Sequence, residues 1–564
     1  MARTVAIGIQ DFETVITNDY FYVDKTAFIK EWWESGDSVT LISRPRRFGK
    51  TLNMSMLERF FTLKYAGKGE LFENLSIWKD EKYRDLQGTI PVISLSFATV
   101  KEKNFELTRK KICQLIANVY SEYSFLKDSD VLTEQDKEKI KKISGDMGDT
   151  EATLSLYHLS DMLSRYYGKK VIILLDEYDT PMQEAYVDGY WDELVAFTRS
   201  LFNATFKTNP WLDRAIMTGI TRVSKESIFS DLNNLKVVTT TSEEYATAFG
   251  FTEDEVFGAM DEMGYQEKEK VKVKEWYDGF IFGKTKDIYN PWSILNYLDT
   301  GHFSTYWANT SSNSLVGKLV REGSKGVKAD FEKLLKGEHL VAPIDEQIVY
   351  NQLDGNDQAI WSLLLASGYL KVIDYEKYDN DDIIEPKYEL QLTNREVALM
   401  FRQMVKGWFR ATSEDYNDFV KALLIGDLDA MNEYMNRVAL NTFSSFDTGN
   451  RPSGIEPERF YHGFVLGLLV ELADRYVLTS NRESGFGRYD VVLKPKNLND
   501  TAFILEFKVF NPRKDGTLEE TVNAALTQIK EKQYEAELIA EGIPAQNIRK
   551  YGFGFEGKKV LVGE

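Results

Sequence analysis

The sequence predicts an α/β protein, with a parallel sheet in its first half, a mostly helical middle region and a smaller α/β unit at its end. Short apolar runs alternate with amphipathic stretches over residues 1–290, a pattern typical of a parallel sheet covered by helices on both faces. Over residues 291–445 the pattern becomes mostly helical, and over 446–564 strand-like segments return. These three ranges are the predicted domains.

The first range contains four predicted strands, which lie at 38–44, 90–97, 171–176 and 214–219.

In the middle range, residues 361–375 and 387–394 predict one helix followed by two strands, with an acidic turn between the strands. A winged-helix module and any other helix followed by a hairpin fit this pattern equally well. In the last range, helices are predicted at 456–475 and 517–541, with a run of strands between them.

The composition excludes several classes of protein. No stretch approaches 18 uninterrupted apolar residues, and the first residues do not form a secretion signal. We therefore expect a cytoplasmic protein without a membrane partner. Cys113 is the only cysteine and there are four histidines, which nearly excludes a Cys/His zinc site and favours a hard cation held by carboxylates. The net charge of −19 counts against tight non-specific binding of nucleic acid, although a local basic groove is compatible with it.

The first segment that indicates chemistry is LISRPRRFGKTLNMSML (41–57), in which a strand runs into a tight loop and then a helix. Backbone N–H groups and a helix N-terminus at such a turn face bound phosphates. Lys50 would reach the β and γ phosphates of ATP, and the Thr51 hydroxyl would ligate Mg²⁺. The fit is incomplete, because the glycine usual at the start of such a loop is replaced by Arg44. The candidate nucleotide-binding residues of the loop are Arg46, Arg47, Phe48, Gly49, Lys50 and Thr51.

A second segment, VIILLDEYDTP (171–181), is an apolar strand that ends in two carboxylates. Asp176 would hold Mg²⁺ through its water shell, and Glu177 would polarise the attacking water. An acidic loop after a buried strand is common by itself. Both segments in this order within one α/β region nevertheless indicate a nucleotide-binding site.

A further predicted strand, near 214–219, delivers polar groups at its end. Thr218, Thr221 and Arg222 are candidates to sense the γ phosphate, and an arginine there would stabilise developing charge. Capping of a helix or turn explains the same residues equally well.

Five separated blocks together resemble the AAA-ATPase-like family of bacterial proteins. The blocks are YFYVDKTAFIKEWWE (20–34), SRPRRFGKTL (43–52), LLDEYDTP (174–181), TGITRVSKESIFSDLNNL (218–235) and the stretch from EWYDGFIFG to IYNPWSIL (275–295). The resemblance implies a P-loop ATPase fold that binds ATP and Mg²⁺. The loop of that family has the same Pro-Arg-Arg-Phe-Gly-Lys form, so Arg44 in place of glycine is expected. The resemblance does not settle whether ATP is turned over.

The last range contains a second group of chemically active residues. Strands are predicted at 488–494 and 501–509, with Asp490 on the first and Glu506 and Lys508 on the second. Residues two apart on a strand share a face, and a hairpin register would bring Asp490 to that face too. The carboxylates would then bind Mg²⁺ while Lys508 orients the water that hydrolyses a phosphodiester. A solvated strand face is the alternative, but the apolar flanks make a charged pair costly there.

This unit resembles a PD-(D/E)XK nuclease domain, which has a restriction-endonuclease-like α/β fold and commonly follows an AAA-ATPase-like domain. The resemblance makes Asp490 and Glu506 metal ligands, Lys508 the catalytic lysine and Gln528 an accessory residue on the following helix.

The match to the nuclease motif departs from the family at one position and is open at another. Tyr489 stands where the motif has its proline. The acidic residue often seen on an upstream helix has three candidates, which are Glu458, His462 and Glu471.

Two hypotheses of function follow. In the first, the protein is an ATP-gated nuclease, in which nucleotide binding or hydrolysis controls access of nucleic acid, most simply DNA, to the carboxylate–lysine site. In the second, ATP fixes a conformation or a homo-oligomer, and the nuclease-like domain only binds a partner. Cleavage of DNA or RNA separates the two hypotheses. A role of cleavage in defence or in mobile-element biology stays open.

Overall fold

The computed structural model describes most of the chain, and its residues cluster into two compact units. The first unit comprises Met1–Ser324 and Asp330–Met400, and the second comprises Lys325–Ala329 and Phe401–Glu564. The predicted middle range is thus shared between the units, and the three-domain division stays a prediction. The described residues are 3–221, 228–229, 231–307, 316–317, 319–320, 325–345, 353, 356–375, 387–408, 416–442, 465–466, 468–469, 472, 475–480, 483–484, 487–488, 490–498, 500–512 and 515–564.

A five-stranded parallel sheet forms the centre of the first unit. Its strands are β1 Val39–Ser43, β2 Val92–Ser96, β3 Val171–Asp176, β4 Leu212–Gly219 and β5 Leu235–Val238. The order in the sheet is β2-β3-β4-β1-β5, and each neighbouring pair is parallel. All residues of β1 and β3 are buried, as expected for a sheet covered on both faces. Because β4 lies between β1 and β3, the segments that follow those two strands lie at the same edge, on either side of the end of β4.

Among the described residues before the middle region, the first unit has twelve α-helices. They are α1 Phe12–Thr17, α2 Ala27–Ser35, α3 Lys50–Phe61, α4 Glu81–Leu86, α5 Phe105–Glu122, α6 Glu134–Lys142, α7 Asp149–Tyr167, α8 Thr180–Asp188, α9 Trp191–Phe202, α10 Glu253–Glu262, α11 Glu267–Tyr277 and α12 Pro291–Thr300. A small antiparallel sheet was not foreseen from the sequence. It has the order β6-β8-β7, with β6 Phe251–Thr252, β7 Phe280–Phe282 and β8 Thr285–Tyr289.

The middle region contains the predicted helix followed by two strands. Its elements are α13 Lys325–Leu335, β9 Leu340–Pro343, α14 Asp357–Ala366, β10 Leu370–Tyr375, β11 Lys387–Leu392 and α15 Arg395–Trp408. The strands form an antiparallel sheet of order β10-β11-β9, the arrangement of a winged helix. However, α14 buries the seven consecutive residues from Ala359 to Leu365. It is therefore a core helix and cannot lie in a DNA groove as a recognition helix does.

The second unit is built on a mixed five-stranded sheet of order β12-β15-β16-β17-β18. Its elements are α16 Tyr416–Ile425, α17 Leu428–Thr442, β12 Tyr476–Ser480, β13 Glu483–Ser484, β14 Gly487–Arg488, β15 Val491–Pro495, β16 Ala502–Val509, α18 Leu518–Glu531, α19 Ala536–Ala540, β17 Ile548–Glu556 and β18 Lys559–Gly563. The pair β16/β17 is parallel and the other pairs are antiparallel.

Two helices predicted for this unit are not observed at their full predicted length. The helix predicted at 517–541 is interrupted, because Gln533 has a positive φ of 52°, a conformation that ends a helix. The helix predicted at 456–475 lies largely outside the described residues. None of the described helices has the length and apolar character that crossing a bilayer requires.

Two asparagines of α17 close the edge of the sheet at β18. Asn432 donates from Nδ2 to the Val562 carbonyl at 2.9 Å and accepts from the Val562 N–H at 2.7 Å. Asn436, one turn later, makes the same pair of bonds with Val560, at 2.7 and 3.0 Å. The two side chains thus take the place of a neighbouring strand on an edge that would otherwise offer open backbone groups.

We expect the double substitution Asn432→Ala and Asn436→Ala to destabilise the protein by about 2–4 kcal/mol, because four hydrogen bonds to partly buried backbone groups are lost. Urea denaturation measures the loss, and light scattering measures the aggregation expected from an open edge. Asn523→Ala, at an exposed position of α18, is the control. Equal stability of the double variant and the control would contradict the edge-closing role.

Candidate functional site

The loop between β1 and α3 has the backbone geometry of a phosphate-binding turn. Gly49 caps α3 with φ at 81°, a left-handed conformation that glycine adopts without strain. Lys50, at the first position of α3, is only 5% exposed. Its ammonium donates to the carbonyls of Arg44 and Pro45 at 2.9 and 2.8 Å. Burial lowers the pKa of Lys50, and the carboxylates of Glu177, Asp176 and Asp179 oppose that shift.

Arg44 shows why this loop does not begin with glycine. Its side chain is fully buried and donates to the carbonyls of Ser43, Thr239 and Glu244 at 2.9, 2.7 and 3.2 Å. The guanidinium also lies over the Phe282 ring, 4.4 Å from its centroid. Arg44 therefore fastens the start of the loop to the segment after β5 and to the small antiparallel sheet, a structural role that the sequence alone did not reveal.

The carboxylate at the end of β3 lies beside the first turn of α3. The Thr51 hydroxyl donates to Asp176 Oδ2 at 2.7 Å, and the Thr218 hydroxyl donates to Asp176 Oδ1. Burial raises the pKa of Asp176, while the bonds from Thr218 and Thr51 oppose the shift. The structure thus brings together the two predicted Mg²⁺ ligands of this site. A hydroxyl and one carboxylate are hard oxygen donors of the kind that Mg²⁺ takes beside its waters and substrate phosphates.

Glu177 follows Asp176 in an uncommon backbone conformation. Its φ is 50°, which is rare for a residue with a side chain and is concentrated at functional sites. Its N–H donates to the Thr218 hydroxyl at 3.4 Å, and its carboxylate accepts from the Thr180 hydroxyl at 3.1 Å. The predicted water-polarising carboxylate is therefore held at the edge where β3 and β4 end.

Asp179 is a residue that the sequence analysis overlooked. Its side chain is 3% exposed, and Oδ2 accepts from the N–H groups of Ile220 and Thr221 at 2.8 and 2.9 Å. The Thr221 hydroxyl also donates to it, at 3.1 Å, so this predicted phosphate sensor is engaged within the protein. Burial raises the pKa of Asp179. The second acidic residue of DEYD, two positions after Glu177, was the available signal.

Asp179→Ala should lower stability by about 3 kcal/mol or more, because the buried donors of Ile220 and Thr221 lose their acceptor. The urea midpoint reports this loss. Asp213→Ala, at an exposed position of β4, should change it little. A midpoint shift as small as that of the control would show that Asp179 does not tie β3 to the end of β4.

Residues outside the sheet hold the loop from its other side. The Arg46 carbonyl accepts from Trp307 Nε1 at 2.9 Å and from Asn290 Nδ2 at 3.3 Å. Arg47 lies over Trp292, 4.5 Å from the ring centroid. The Phe48 side chain is buried against Phe280 and Phe282. Of the predicted nucleotide-binding residues, Phe48 therefore packs into the interior and does not present its ring to a ligand.

At the other end of the chain, the structure brings the predicted nuclease residues to one place. The β15/β16 register pairs Val491 with Leu505, and its continuation by one residue sets Asp490 opposite Glu506. Asp490 Oδ2 accepts from the N–H of Phe507 at 2.8 Å. Lys508 Nζ lies 3.6 Å from Glu506 Oε1.

The side chain of Glu506 is 2% exposed and is held by the helix that follows. Gln528 of α18 donates from Nε2 to Glu506 Oε1 and to the Tyr534 hydroxyl, the latter at 3.0 Å. Gly552 permits this approach, since a Cβ there would lie 2.8 Å from the Val522 carbonyl of α18. Burial raises the pKa of Tyr534, and the charges of Glu506 and Asp490 add to the shift.

The donors of this second site suit a hard cation. In the described part of the chain, no group of three or more His, Cys, Asp and Glu side chains is arranged so that together they could hold a metal ion. Mg²⁺ typically uses one or two protein carboxylates and fills its remaining positions with water and substrate phosphate. Asp490 and Glu506 match that requirement.

Some of the residues predicted for the two sites lie outside the described residues. They are Arg222, Glu458, His462, Glu471 and Tyr489.

Comparison with known families identifies a domain around each of the two candidate sites. Residues 6–229 match the family model described as predicted AAA-ATPase, and residues 456–564 match the PD-(D/E)XK nuclease superfamily. The chain carries a predicted AAA-ATPase domain and a PD-(D/E)XK superfamily domain. Four of the five strands of the parallel sheet lie within the first match, and this sheet fits a P-loop NTPase; the mixed sheet lies within the second match and fits a nuclease-like domain. Families of these two kinds generally use ATP and a divalent metal.

Two further likenesses concern longer stretches than these two domains. The chain is 25% identical over 556 residues to an uncharacterized protein in the vnfD 5'region of Azotobacter chroococcum mcd 1, covering 96% of this chain and 95% of the relative. The alignment therefore spans both matched domains and the region between them. A signal transduction ATPase with numerous domains and a tetratricopeptide repeat sensor, from Pyrococcus horikoshii, aligns over 80% of this chain and 54% of its own, at 13% identity and a TM-score of 0.23.

Proposed function

We propose that this protein is an ATPase coupled to a metal-dependent nuclease that hydrolyses phosphodiesters of nucleic acid, with DNA as the first substrate to test. The observation that carries the proposal is the convergence of Asp490, Glu506, Lys508 and Gln528 at one end of the β15/β16 pair. A module that only binds a partner has no need of a carboxylate buried to 2% exposure beside an ammonium. Such burial is costly unless it serves a reaction or a ligand.

Each residue of the nuclease site has a proposed task. Asp490 and Glu506 would hold a divalent cation, which lowers the pKa of a bound water and offsets charge on the phosphate. The N–H of Phe507 fixes the Asp490 carboxylate, and Gln528 fixes that of Glu506. Lys508 is 29% exposed, so its ammonium can contact both Glu506 and an entering phosphate.

At the ATP site, Lys50 would exchange its bonds to two loop carbonyls for bonds to the β and γ phosphates. Thr51 and Asp176 would hold Mg²⁺, and Glu177 would orient the attacking water. Movement of Lys50 away from the Arg44 and Pro45 carbonyls would change the conformation of the loop, and this change is the proposed origin of ATP control.

The distribution of charge removes the main objection to a nucleic-acid substrate. Residues 446–564 contain 16 Lys and Arg and 18 Asp and Glu, a net charge of −2 out of −19 for the chain. The acidity therefore lies almost entirely in the first 445 residues. Because α14 is a buried helix, we assign contact with nucleic acid to the C-terminal domain and not to the winged-helix-like region.

The test is cleavage of plasmid and single-stranded DNA in Mg²⁺ or Mn²⁺, with and without ATP, by wild type and by Asp490→Asn. Asp500→Asn, in the turn between β15 and β16, is the matched control because it makes the same chemical change at the other end of the hairpin, outside the site. Cleavage that is lost only in Asp490→Asn supports the nuclease, and its response to ATP shows coupling.

Absence of cleavage of DNA and RNA with every metal and nucleotide would overturn the nuclease proposal. A nucleotide-dependent change in mass without cleavage would instead favour the switch, in which the protein assembles with copies of itself and the nuclease-like domain only binds.

A further inference from the structure

The three arginines of the loop after β1 have different surroundings. Arg44 is buried and donates to backbone carbonyls. Arg47 is exposed and lies over Trp292. Arg46 is half-buried, and its Nη2 donates to Gln183 Oε1 at 2.9 Å. No ion pair of Arg46 occurs among the described residues, so its charge is held by a neutral amide.

The position of Gln183 defines where the Arg46 side chain points. Gln183 lies on α8, which begins at Thr180, just after the carboxylates that end β3. Arg46 therefore crosses from the loop after β1 to the helix after β3, over the edge where Lys50, Asp176 and Glu177 meet. Its charge acts on the Lys50 ammonium, where it adds to the lowering of the Lys50 pKa. The carboxylates of Glu177, Asp176 and Asp179 act on Lys50 with the opposite sign, and a bound phosphate group would be a further anion that both Lys50 and Arg46 attract.

The backbone of Arg46 is also fixed more firmly than that of a free loop. Its carbonyl accepts from Trp307 Nε1 and Asn290 Nδ2. Glu396, which is fully buried, accepts from the Trp307 N–H at 2.6 Å and from the Ser293 hydroxyl at 2.8 Å. Because the backbone of Arg46 is fixed and its guanidinium is hydrogen-bonded to the uncharged Gln183 side chain, the guanidinium can turn towards a phosphate with little cost in free energy.

We propose that Arg46 is the arginine that stabilises the transferring γ-phosphoryl group, and that it acts on ATP bound to its own chain. This inference rests on the proposed ATPase activity. In the reaction, the oxygen of water forms a bond to the γ phosphorus while the bond from that phosphorus to the β–γ bridging oxygen breaks. ADP leaves with the electron pair, the proton of the water passes to Glu177 and then to solvent, and phosphate is released. Arg46 donates N–H groups to the γ oxygens and contributes no atom to the products.

The first test separates catalysis from binding. Arg46→Ala in the full-length chain should lower kcat for ATP hydrolysis by about 1,000-fold, the lower end of the range for such arginines. Its Kd for ATP should stay within about tenfold of wild type, because Lys50 and the loop N–H groups still bind the phosphates. Arg84→Ala, on the exposed surface of α4, is the control and should leave kcat and Kd unchanged. A fall in kcat below tenfold, or equal losses in kcat and affinity, would overturn the proposal.

The second test decides which chain supplies the arginine. Arg46→Ala is mixed with Lys50→Ala, which retains Arg46 but should bind ATP at least about 100-fold more weakly, at an ATP concentration that leaves the Lys50→Ala chain unoccupied. No recovery of hydrolysis is expected, because the intact Arg46 lies in a chain without nucleotide. Recovery upon mixing would show action on a neighbouring chain and overturn the inference. Wild type without any ATP hydrolysis would overturn the proposed ATPase as well, whereas an active wild type with an equally active Arg46→Ala would overturn only the role of Arg46.

Discussion

Replacing Lys50 with alanine is expected to weaken ATP binding by at least about 100-fold, because two charge-assisted hydrogen bonds to phosphate contribute about 3 kcal/mol together. The ammonium is buried between the Arg44 and Pro45 carbonyls and faces the carboxylates at the end of β3. Without it, those carboxylates would repel the phosphates with no compensating charge. Titration with ATP, by calorimetry or with a fluorescent analogue, measures the change.

The Lys50 experiment needs controls for folding and for loss of an arbitrary charge. Lys50→Met keeps most of the buried side-chain volume and should lose binding to the same extent while remaining folded. Lys82→Ala removes a lysine whose side chain is 60% exposed and paired with Glu34, and should bind ATP as wild type does. Binding by Lys50→Met within threefold of wild type would disprove the phosphate-binding assignment of the loop.

Glu506→Gln is expected to separate activity from stability. The side chain keeps its shape and a hydrogen-bonding oxygen for Gln528, but loses the charge needed to hold a cation. Loss of partners outside the coordination shell of a metal typically costs 10–100-fold in affinity or activity, so loss of a direct ligand should lower cleavage by about 100-fold or more. The melting temperature should stay the same or rise, because a charge that is almost fully buried is removed.

The experiment on Glu506 compares cleavage rates and thermal unfolding in the same preparations. Glu556→Gln, at the exposed end of β17, changes the same chemical group outside the site and should affect neither measurement. If Glu506→Gln cleaved DNA at the wild-type rate, the carboxylate would be structural. If it lost stability and activity together, the loss of activity would follow from unfolding.

Local sequence patterns predicted many of the strands and helices, and they also predicted which residues at the strand ends form the two candidate sites. The predicted strand at 38–44 is Val39–Ser43, and that at 171–176 is observed with the same ends. Continuous apolar runs followed by Gly49-Lys50 or by Asp176 specify a strand and the chemistry at its end without knowledge of distant residues. The hairpin beside Glu506 could likewise be predicted from its apolar runs and spacing, but its first strand begins at Val491 and not at 488, so Asp490 lies just before the strand on which it was predicted.

Features that depend on residues far apart in the chain were not predicted. Arg44 looked like a departure from a phosphate-binding loop, because its acceptors Thr239 and Glu244 lie about 200 positions away. The tie between Asp179 and Thr221 has the same origin, since a side chain that accepts backbone N–H groups leaves no periodic trace in sequence.

The buried arginine of the phosphate loop bears on how much of the chain forms a working nucleotide-binding fragment. The family match ends at residue 229, whereas the carbonyls that accept from Arg44 belong to residues 239 and 244. The side chains that donate to the Arg46 carbonyl belong to residues 290 and 307. A fragment cut at 229 would leave a guanidinium buried without these acceptors, a situation that destabilises a fold by several kcal/mol. The smallest piece of this protein in which the loop is held in this way thus extends at least to Trp307. If the proposed ATP site is correct, ATP binding would report that the region beyond the sheet is folded against the loop.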